Sequence, residues 1–196
     1  MKSFNLENIY KDIWVALKEG VDNSRSPFHF ATLCSLKSDG APNSRTIVIR
    51  DIDKKNYLLS FNTDIRSKKW SELKSNPTSS LLLYNNKSKT QLRISGNATL
   101  NYKNKIWEKA WNKTTANSRE CYASPFAPST PIDDPTKIDN KFKEIKNSNL
   151  DIYKENFGRI EIKIAIIDWL FLKHSGHRRA KFILLENKVN KQWLAP

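Results

Sequence analysis

The hydrophobic positions of this chain recur with two periods, which together predict a mainly β protein with flanking helices. Residues 5–20 carry Ile9, Ile13 and Leu17 at helical spacing, which predicts an amphipathic helix. Weaker helical patterns predict two further helices at 66–75 and about 104–113. Short apolar runs, alternating or continuous, predict strands at 28–36, 43–51, 57–61, 79–85, 90–101, 159–172 and 180–186.

The connections between these segments favour a β-barrel. Asp39 and Gly40 form a strong turn signal, and short connections predict that the first three strands form an antiparallel meander. Six or more antiparallel strands with few helices in 196 residues favour a closed or nearly closed barrel. Because no linker or internal repeat interrupts the pattern, we expect residues 1–196 to form a single domain.

Several segments within this pattern predict local irregularity. Gly96, inside the strand 90–101, predicts a bend or a bulge. The stretch 117–136 contains four prolines, which predicts a long irregular loop or a lid, and 137–156 shows only a weak helical pattern. Alternate positions from Ile160 to Ile166 are isoleucines, which predicts that they share one buried face.

Composition narrows the classes of function. The net charge is +14, but the lysines are scattered among asparagines and form no recognisable nucleic-acid motif, so we expect a surface that attracts small phosphorylated ligands and no specific nucleic acid. No apolar run is long enough to cross a bilayer, and the first residues lack the apolar core of a signal peptide, which predicts a cytoplasmic protein. Two cysteines make no disulfide framework, and no spacing of Cys and His indicates zinc.

The most informative candidate site lies where the third predicted strand leads into a short helix. Lys68 and Lys69 open that helix, although the N-terminal end of a helix dipole is already positive. Cations at this end indicate an anion nearby, and phosphate is a common occupant of such a corner. The alternative is that both lysines are simply solvated.

Several segments, in their order and spacing, resemble the pyridoxamine 5′-phosphate oxidase-related family, whose members are FMN-binding split barrels. The resemblance spans most of the chain. It is carried by the strand 28–36 and by Asp39 to Pro42, Arg45 to Arg50, Asn62 to Lys69, Gln91 to Gly96, Asp168-Trp169, Gly176 to Phe182 and Leu194 to Pro196.

This resemblance implies a homodimer with FMN in a cleft between the subunits. The cofactor phosphate is then held by basic and hydroxyl groups and by backbone of the second strand, with further residues at the flavin ring. The implied cofactor-binding residues are Arg45, Thr46, Ile47, Val48, Asn62, Thr63, Ser67, Lys68, Lys69, Gln91, Trp169 and Lys181. Lys181 stands where the family usually has arginine, so it keeps the charge but loses the bidentate fork.

Each of these assignments has a structural alternative. Arg45 and Arg50 differ by five positions, so a regular strand places them on opposite faces and only one of them can reach a given phosphate. The resemblance resolves this by assigning Arg50 to the substrate. Gln91 is alternatively an ordinary residue paired across strands, and Trp169 a core residue.

The substrate half of the family pattern is altered here. The resemblance implies substrate contacts at Arg50, His177 and Arg179, with the histidine and arginine in swapped order. The family's tyrosine, arginine and serine on the helix after the long strand are replaced by Lys109, Lys113 and Asn117, with Ser118 and Arg119 nearby.

The implied function is an FMN-dependent oxidoreductase that acts on a small phosphorylated substrate, in which the flavin performs the redox chemistry and no protein nucleophile or metal is needed. The altered substrate half leaves oxidation of vitamin B6 open. The alternatives are a flavin-binding carrier or redox sensor without B6 activity and a haem-binding split barrel that uses His29, His174 or His177. A nucleic-acid-binding barrel is a further alternative.

Overall fold

A computed structural model describes residues 4–139, 149–186 and 188–196. The α-helices include α1 (Leu6–Asp22), α2 (Lys68–Ser75), α3 (Lys105–Lys113) and α4 (Ala116–Arg119), and residues 136–139 are also helical. The nine described strands are β1 (Phe30–Leu36), β2 (Pro42–Val48), β3 (Asp51–Asp53), β4 (Leu58–Asp64), β5 (Thr78–Asn85), β6 (Thr90–Asn101), β7 (Phe157–Phe171), β8 (Arg178–Leu185) and β9 (Lys188–Leu194). The weakly helical stretch 137–156 contains a 3₁₀ segment at Leu150–Asn156, while 140–148 lies outside the described residues.

The strands form one antiparallel sheet. The sheet closes into a barrel because the segment that contains β2 and β3 pairs with β1 through β2 and with β4 through β3. The sheet order is β2-β1-β5-β6-β7-β4-β3. The segment predicted as one strand at 43–51 is split, so that β2 pairs with β1 and β3 pairs with β4. At the break, the N–H of Ile49 donates to His29 O (3.0 Å) and that of Arg50 to Ser60 O (2.8 Å). The predicted mainly β barrel is confirmed. Of the predicted meander, the antiparallel pairing of 43–51 with both neighbouring strands is confirmed, but its continuity is wrong, because β2 and β4 are not paired with each other.

The split leaves an opening in the barrel wall. β3 pairs only with the first part of β4, Leu58–Ser60, so the far end of β4 has no strand partner on that edge among the described residues. Likewise, β2 pairs with β1 alone. Since α2 begins directly after β4, its first turn lies beside this opening.

A β-bulge at Gly96 reverses the inward face of β7. The register between β6 and β7 shifts between Ser95 and Gly96, which confirms the predicted bulge. A Cβ at Gly96 would lie 2.1 Å from Lys163 O, so the close approach requires glycine. Ile164 is therefore followed on the inner face by Ile167, and the predicted burial of Ile166 is only partial.

Two apolar clusters hold the elements together. The larger one fills the barrel and includes the inner face of α1, on which Ile9, Ile13 and Leu17 are buried. The smaller one joins α3 to the segment that follows it, through Trp107, Trp111, Tyr122 and Phe157. The proline-rich stretch therefore starts as regular structure, with α4 and a 3₁₀ turn at Glu120–Tyr122, and becomes irregular only afterwards.

Candidate functional site

The corner between β4 and α2 is fixed by a tight network of backbone and side-chain contacts. The hydroxyl of Ser67 donates to Asp64 O (2.6 Å), and Asp64 Oδ1 accepts from the N–H of Arg66 (2.8 Å). Trp70 packs over Gly158, where a Cβ would come within 2.5 Å of the indole ring. Thr63, which pairs with Gly158, and Ser67 are both buried. These contacts hold the first turn of α2 against the end of the sheet.

The N-terminus of α2 is unusually poor in negative charge. Ser67 is the N-cap residue, but its side chain makes no capping hydrogen bond, and the first turn has no acidic residue. The backbone N–H groups of Lys68 and Lys69 have no acceptor among the described residues. Unpaired N–H groups at the positive end of a helix dipole favour an anion.

Lys69 adds a poorly compensated cation to this corner. Its Nζ donates to Thr63 Oγ1 (3.0 Å), and no carboxylate of the described residues lies within 4.0 Å of it. Burial, followed by the charge of Arg45, lowers the pKa of Lys69. The neighbouring Lys68 is exposed. Among the groups at this corner, the ammonium of Lys69 is thus the one that a bound anion would stabilise most.

Arg45 does carry a carboxylate partner, which the sequence did not reveal. Its Nη2 lies 2.7 Å from Glu72 Oε2, and its Nη1 donates to Ser35 Oγ. Glu72 also accepts from Asn43 (2.7 Å) and from Ser35 (2.6 Å). Burial raises the pKa of Glu72, but these hydrogen bonds outweigh burial and lower it overall. Arg45 lies close enough to Lys69 to lower its pKa, but the charge of Arg45 is already offset by Glu72, so its phosphate role stays a prediction.

The donors at this corner fit a phosphate group. They comprise the ammonium of Lys69 and two backbone N–H groups, with the hydroxyl of Thr63 beside them, while the hydroxyl of Ser67 already donates to Asp64 O. A phosphate dianion takes several charge-assisted hydrogen bonds of this kind. Next to them, the free edge of β2 provides the backbone of Thr46, Ile47 and Val48, for which the resemblance implies cofactor contacts.

A cavity of about 410 Å³ lies on the other side of β4. Asn62 lines this cavity, whereas its neighbour Thr63 belongs to the phosphate corner, since adjacent strand residues point to opposite faces. The cavity is bounded by α3 and by the ends of β4 and β7, and it contains more cations than carboxylates. Its charged lining residues are Lys18, Arg50, Asp51, Lys109, Lys113, Arg159 and Glu161.

The residues implied by the resemblance to contact the substrate lie in separate parts of the structure. Arg50, Lys109, Lys113 and Ser118 line the cavity. Arg119 is turned away, with its guanidinium 4.7 Å above the Trp111 ring and an N–H donated to Trp111 O (3.1 Å).

The histidine and arginine of the C-terminal hairpin lie elsewhere. Arg179 pairs with Asp168 (2.8 Å), and the N–H of Lys173 donates to His177 Nδ1 (3.1 Å). His29, considered above as a haem ligand, is buried with its Nδ1 2.7 Å from Gly20 O.

The predicted flavin-ring residues are not brought to the phosphate corner within one protomer. Trp169 lies eleven residues beyond Gly158 on β7, which corresponds to roughly 36 Å of extended strand. Trp169 is buried and stacks on Phe171, with ring centroids 6.2 Å apart. Gln91 and Lys181 lie on the opposite face of the sheet from Trp169, since they pair with Leu170 and Asp168. Their cofactor roles stay predictions.

Part of this chain matches a known sequence family. The sequence model described as "Pyridoxamine 5′-phosphate oxidase, FMN-binding domain" matches residues 11–101. Pyridoxine/pyridoxamine 5′-phosphate oxidase 2 of Arabidopsis thaliana is 31% identical over 103 residues, which cover 49% of this chain and 52% of the relative. The corresponding oxidase of Leptospira interrogans is 32% identical over 82 residues, covering 42% of this chain and 37% of the relative. The chain thus aligns with about half or less of the curated relatives it matches.

Solved structures share the fold along nearly the whole chain. A pyridoxamine 5′-phosphate oxidase-related, FMN-binding protein from Nostoc punctiforme superposes with a TM-score of 0.78 at 20% identity, covering 95% of this chain and 96% of that one. PhzG from Burkholderia lata, solved with tetrahydrophenazine-1-carboxylic acid, gives a TM-score of 0.76 at 22% identity, covering 100% and 95%. These likenesses confirm the split-barrel fold.

The family match also bears on cofactor and location. FMN, expected from the resemblance, is confirmed as the cofactor of the matched domain family. None of the helices in the described part of the chain has the length and apolarity needed to cross a bilayer. Residues 11–101 of this chain are thus similar to the FMN-binding domain of the pyridoxamine 5′-phosphate oxidase family, and the architecture of the chain is that of the FMN-binding split barrels.

Proposed function

We propose that the protein is an FMN-dependent oxidoreductase that acts on a small anionic substrate. The observation that carries the proposal is Lys69, a partly buried ammonium at the N-terminus of α2 that has no described carboxylate within 4.0 Å and whose pKa is lowered by burial. Only FMN, and not riboflavin, presents a phosphate to such a corner. The flavin, when bound, supplies the redox chemistry by accepting a hydride.

The residues of the chain supply position, shielding and charge. The phosphate corner anchors the cofactor tail on one side of β4, and the backbone edge of β2 runs alongside the opening in the barrel wall. The cavity on the other side of β4 provides the substrate pocket, with Arg50, Lys109 and Lys113 as its anion-binding groups. We infer that the flavin ring reaches this cavity through the opening between β2 and β4.

We further propose that two copies of the chain complete each site. Gln91 and Lys181 lie on the outer face of the sheet, far along β7 from the phosphate corner. On the same face, Leu82 and Tyr84 are each 42% exposed, and Tyr84 pairs directly with Gln91. A homodimer through this face buries the apolar side chains and delivers Gln91 and Lys181 to the cofactor of the partner. The cytoplasmic location stays a prediction.

The experiment is titration of the purified protein with FMN, followed by quenching of flavin fluorescence, and reduction of the loaded protein by candidate amines and alcohols, including the B6 vitamers. The proposal expects FMN to bind more tightly than riboflavin and at least one anionic substrate to bleach the flavin anaerobically. Absence of FMN binding would refute it. Binding without reduction by any tested donor would favour the flavin carrier.

A further inference from the structure

Arg159 forms the buried end of the cavity, and its guanidinium is incompletely paired. Only 8% of its side chain is exposed. Its Nη1 donates to Asn62 Oδ1 (2.9 Å), while its Nη2 lies 3.6 Å from Asp51 Oδ2, beyond hydrogen-bonding distance. Among the described residues, no acceptor lies within hydrogen-bonding distance of Nε or Nη2. One edge of the guanidinium therefore has two N–H donors to spare.

Without a further anion, burial of the Arg159 guanidinium destabilises the folded protein. Burying a guanidinium costs several kcal/mol unless it is paired with good geometry. Asn62 is neutral, and the carboxylate of Asp51 is 52% exposed, so that water screens it. An Arg side chain stays protonated in proteins, so the cost is not relieved by loss of a proton.

The surroundings of Arg159 add to the positive potential. Arg50, Lys109 and Lys113 line the same cavity, and none has a carboxylate within 4.0 Å in the part of the chain that the structure describes. On the opposing side, Glu161 accepts a hydrogen bond from Asn101 (3.1 Å). The net charge of the lining therefore favours an anionic ligand throughout the cavity.

We propose that Arg159 is a specificity-determining residue that seats a carboxylate, and that the substrate of this cavity is a small organic acid. The free Nε–Nη2 edge presents two parallel N–H groups, which match the two oxygens of a carboxylate. A cavity of about 410 Å³ has room for a small molecule. The inference rests on the proposed function, because it names the substrate class of the same cavity.

Nicotinate and nicotinamide test this proposal, since they share a ring and nearly the same shape and differ in the charge of one group. Calorimetric titration of the protein, with and without FMN, is expected to show nicotinate binding about tenfold more tightly than nicotinamide, as charged hydrogen bonds imply. Inorganic phosphate serves as a third probe, and it should compete with nicotinate only weakly. Equal affinities for nicotinate and nicotinamide would overturn the proposal. Tighter binding of inorganic phosphate than of nicotinate in the competition experiment would also overturn it.

Two variants locate the effect. Arg159→Gln should abolish the preference for nicotinate while leaving FMN affinity unchanged, because the phosphate corner lies on the other side of β4. Asp51→Asn, at a half-exposed side chain, should raise nicotinate affinity about threefold, since it removes a competing negative charge. If Asp51 is instead the true partner of Arg159, this variant lowers the melting temperature and leaves the nicotinate preference unchanged, and the proposal fails even if Arg159→Gln does not fold.

The outcomes separate this inference from the proposed function. FMN binding with no preference for nicotinate refutes the role of Arg159 and leaves the flavoenzyme intact. A preference for nicotinate without FMN binding supports the role of Arg159 and refutes the proposed flavoenzyme.

Discussion

Arg45 and Glu72 form a partly buried ion pair near Lys69, with Nη2 and Oε2 2.7 Å apart. Of these two cations, only Arg45 has a carboxylate within 4.0 Å among the described residues. Arg45 also lowers the pKa of Lys69, after burial, which shows that the two charges interact. The charge left for an external anion is that of Lys69, so the first prediction concerns this residue.

Lys69→Met should weaken FMN binding by about 10- to 100-fold, the range expected for the loss of one charge-assisted hydrogen bond. Riboflavin binding should change less than about threefold by the same reasoning, because riboflavin has no phosphate. Fluorescence quenching with both flavins measures the difference. Lys68→Met is the matched control, since Lys68 is exposed, and it should lower FMN affinity only slightly. Equal losses for both flavins would contradict a phosphate role of Lys69.

The lowered pKa of Lys69 predicts a pH dependence of stability in the protein without cofactor. The unfolded state binds the proton of this lysine more tightly than the folded state, so the free energy of unfolding rises with pH between the folded pKa and the ordinary lysine pKa of 10.5. Denaturant unfolding at several pH values below 10.5, compared with Lys69→Met, isolates this contribution. The two proteins should differ least at the highest pH. Parallel curves across the window would mean that Lys69 titrates normally.

Glu72→Gln should destabilise the fold by about 3–5 kcal/mol, because it leaves Arg45 as a buried charge without its partner. The lowered pKa of Glu72 means that its contribution to stability is present above the ordinary glutamate pKa of 4.5 and is lost as the pH falls through the folded pKa. Urea unfolding at neutral and acidic pH tests both statements.

The matched control for Glu72→Gln is Glu108→Gln. Glu108 forms an exposed pair with Lys154 at 3.4 Å, so this variant should cost less than about 1 kcal/mol. A cost similar to that of Glu72→Gln would argue against a special role of the Arg45–Glu72 pair.

Leu82→Arg should convert the proposed dimer into monomers and abolish tight FMN binding together. Leu82 lies on the outer face of the sheet, opposite Arg93, so an added cation there disfavours association. Light scattering should give twice 22.7 kDa for the parent chain and 22.7 kDa for the variant. Val15→Arg, at an exposed position of α1, should leave mass and FMN affinity unchanged. A monomeric variant that still binds FMN tightly would sink the shared-site proposal.

Gly158→Ala should loosen the seat of α2, since the added Cβ would lie 2.5 Å from the Trp70 ring. Overpacking of this kind costs about 1–3 kcal/mol, and the displaced helix should also bind FMN more weakly. Trp70→Leu in the same chain should restore part of the stability, which a double-mutant cycle by thermal unfolding would reveal. Strictly additive losses would indicate that the two residues act independently.

Much of the architecture could be predicted because its elements carry local signals. α1 has clear helical spacing and an Asn5 cap that accepts from the N–H of Glu7 (2.7 Å), and Gly96 marked the bulge. The split between β2 and β3 was missed because it depends on which distant strands Ile49 and Arg50 pair with. β9 was missed because its sequence is mostly polar and it pairs only with β8.

Site residues could be predicted where their position in the sequence indicates their role, but not where the role depends on tertiary contacts. Lys69 was found because it stands at a helix start. Glu72 and Arg159 carry no such signal, since their significance comes from burial beside residues far away in the sequence, Arg45 and Asn62. A carboxylate four residues after Lys68 and three after Lys69 looks like part of an ordinary solvated helix face until its burial is known.

Because the phosphate corner and the cavity lie back to back on β4, mutations can reshape one without passing through the other. On the proposed roles, exchange at Asn62 or Arg159 would change what the cavity accepts, while Thr63 and Lys69 would still bind the cofactor phosphate. Proteins built on this barrel could therefore change substrate specificity during evolution and still keep the residues that bind the flavin.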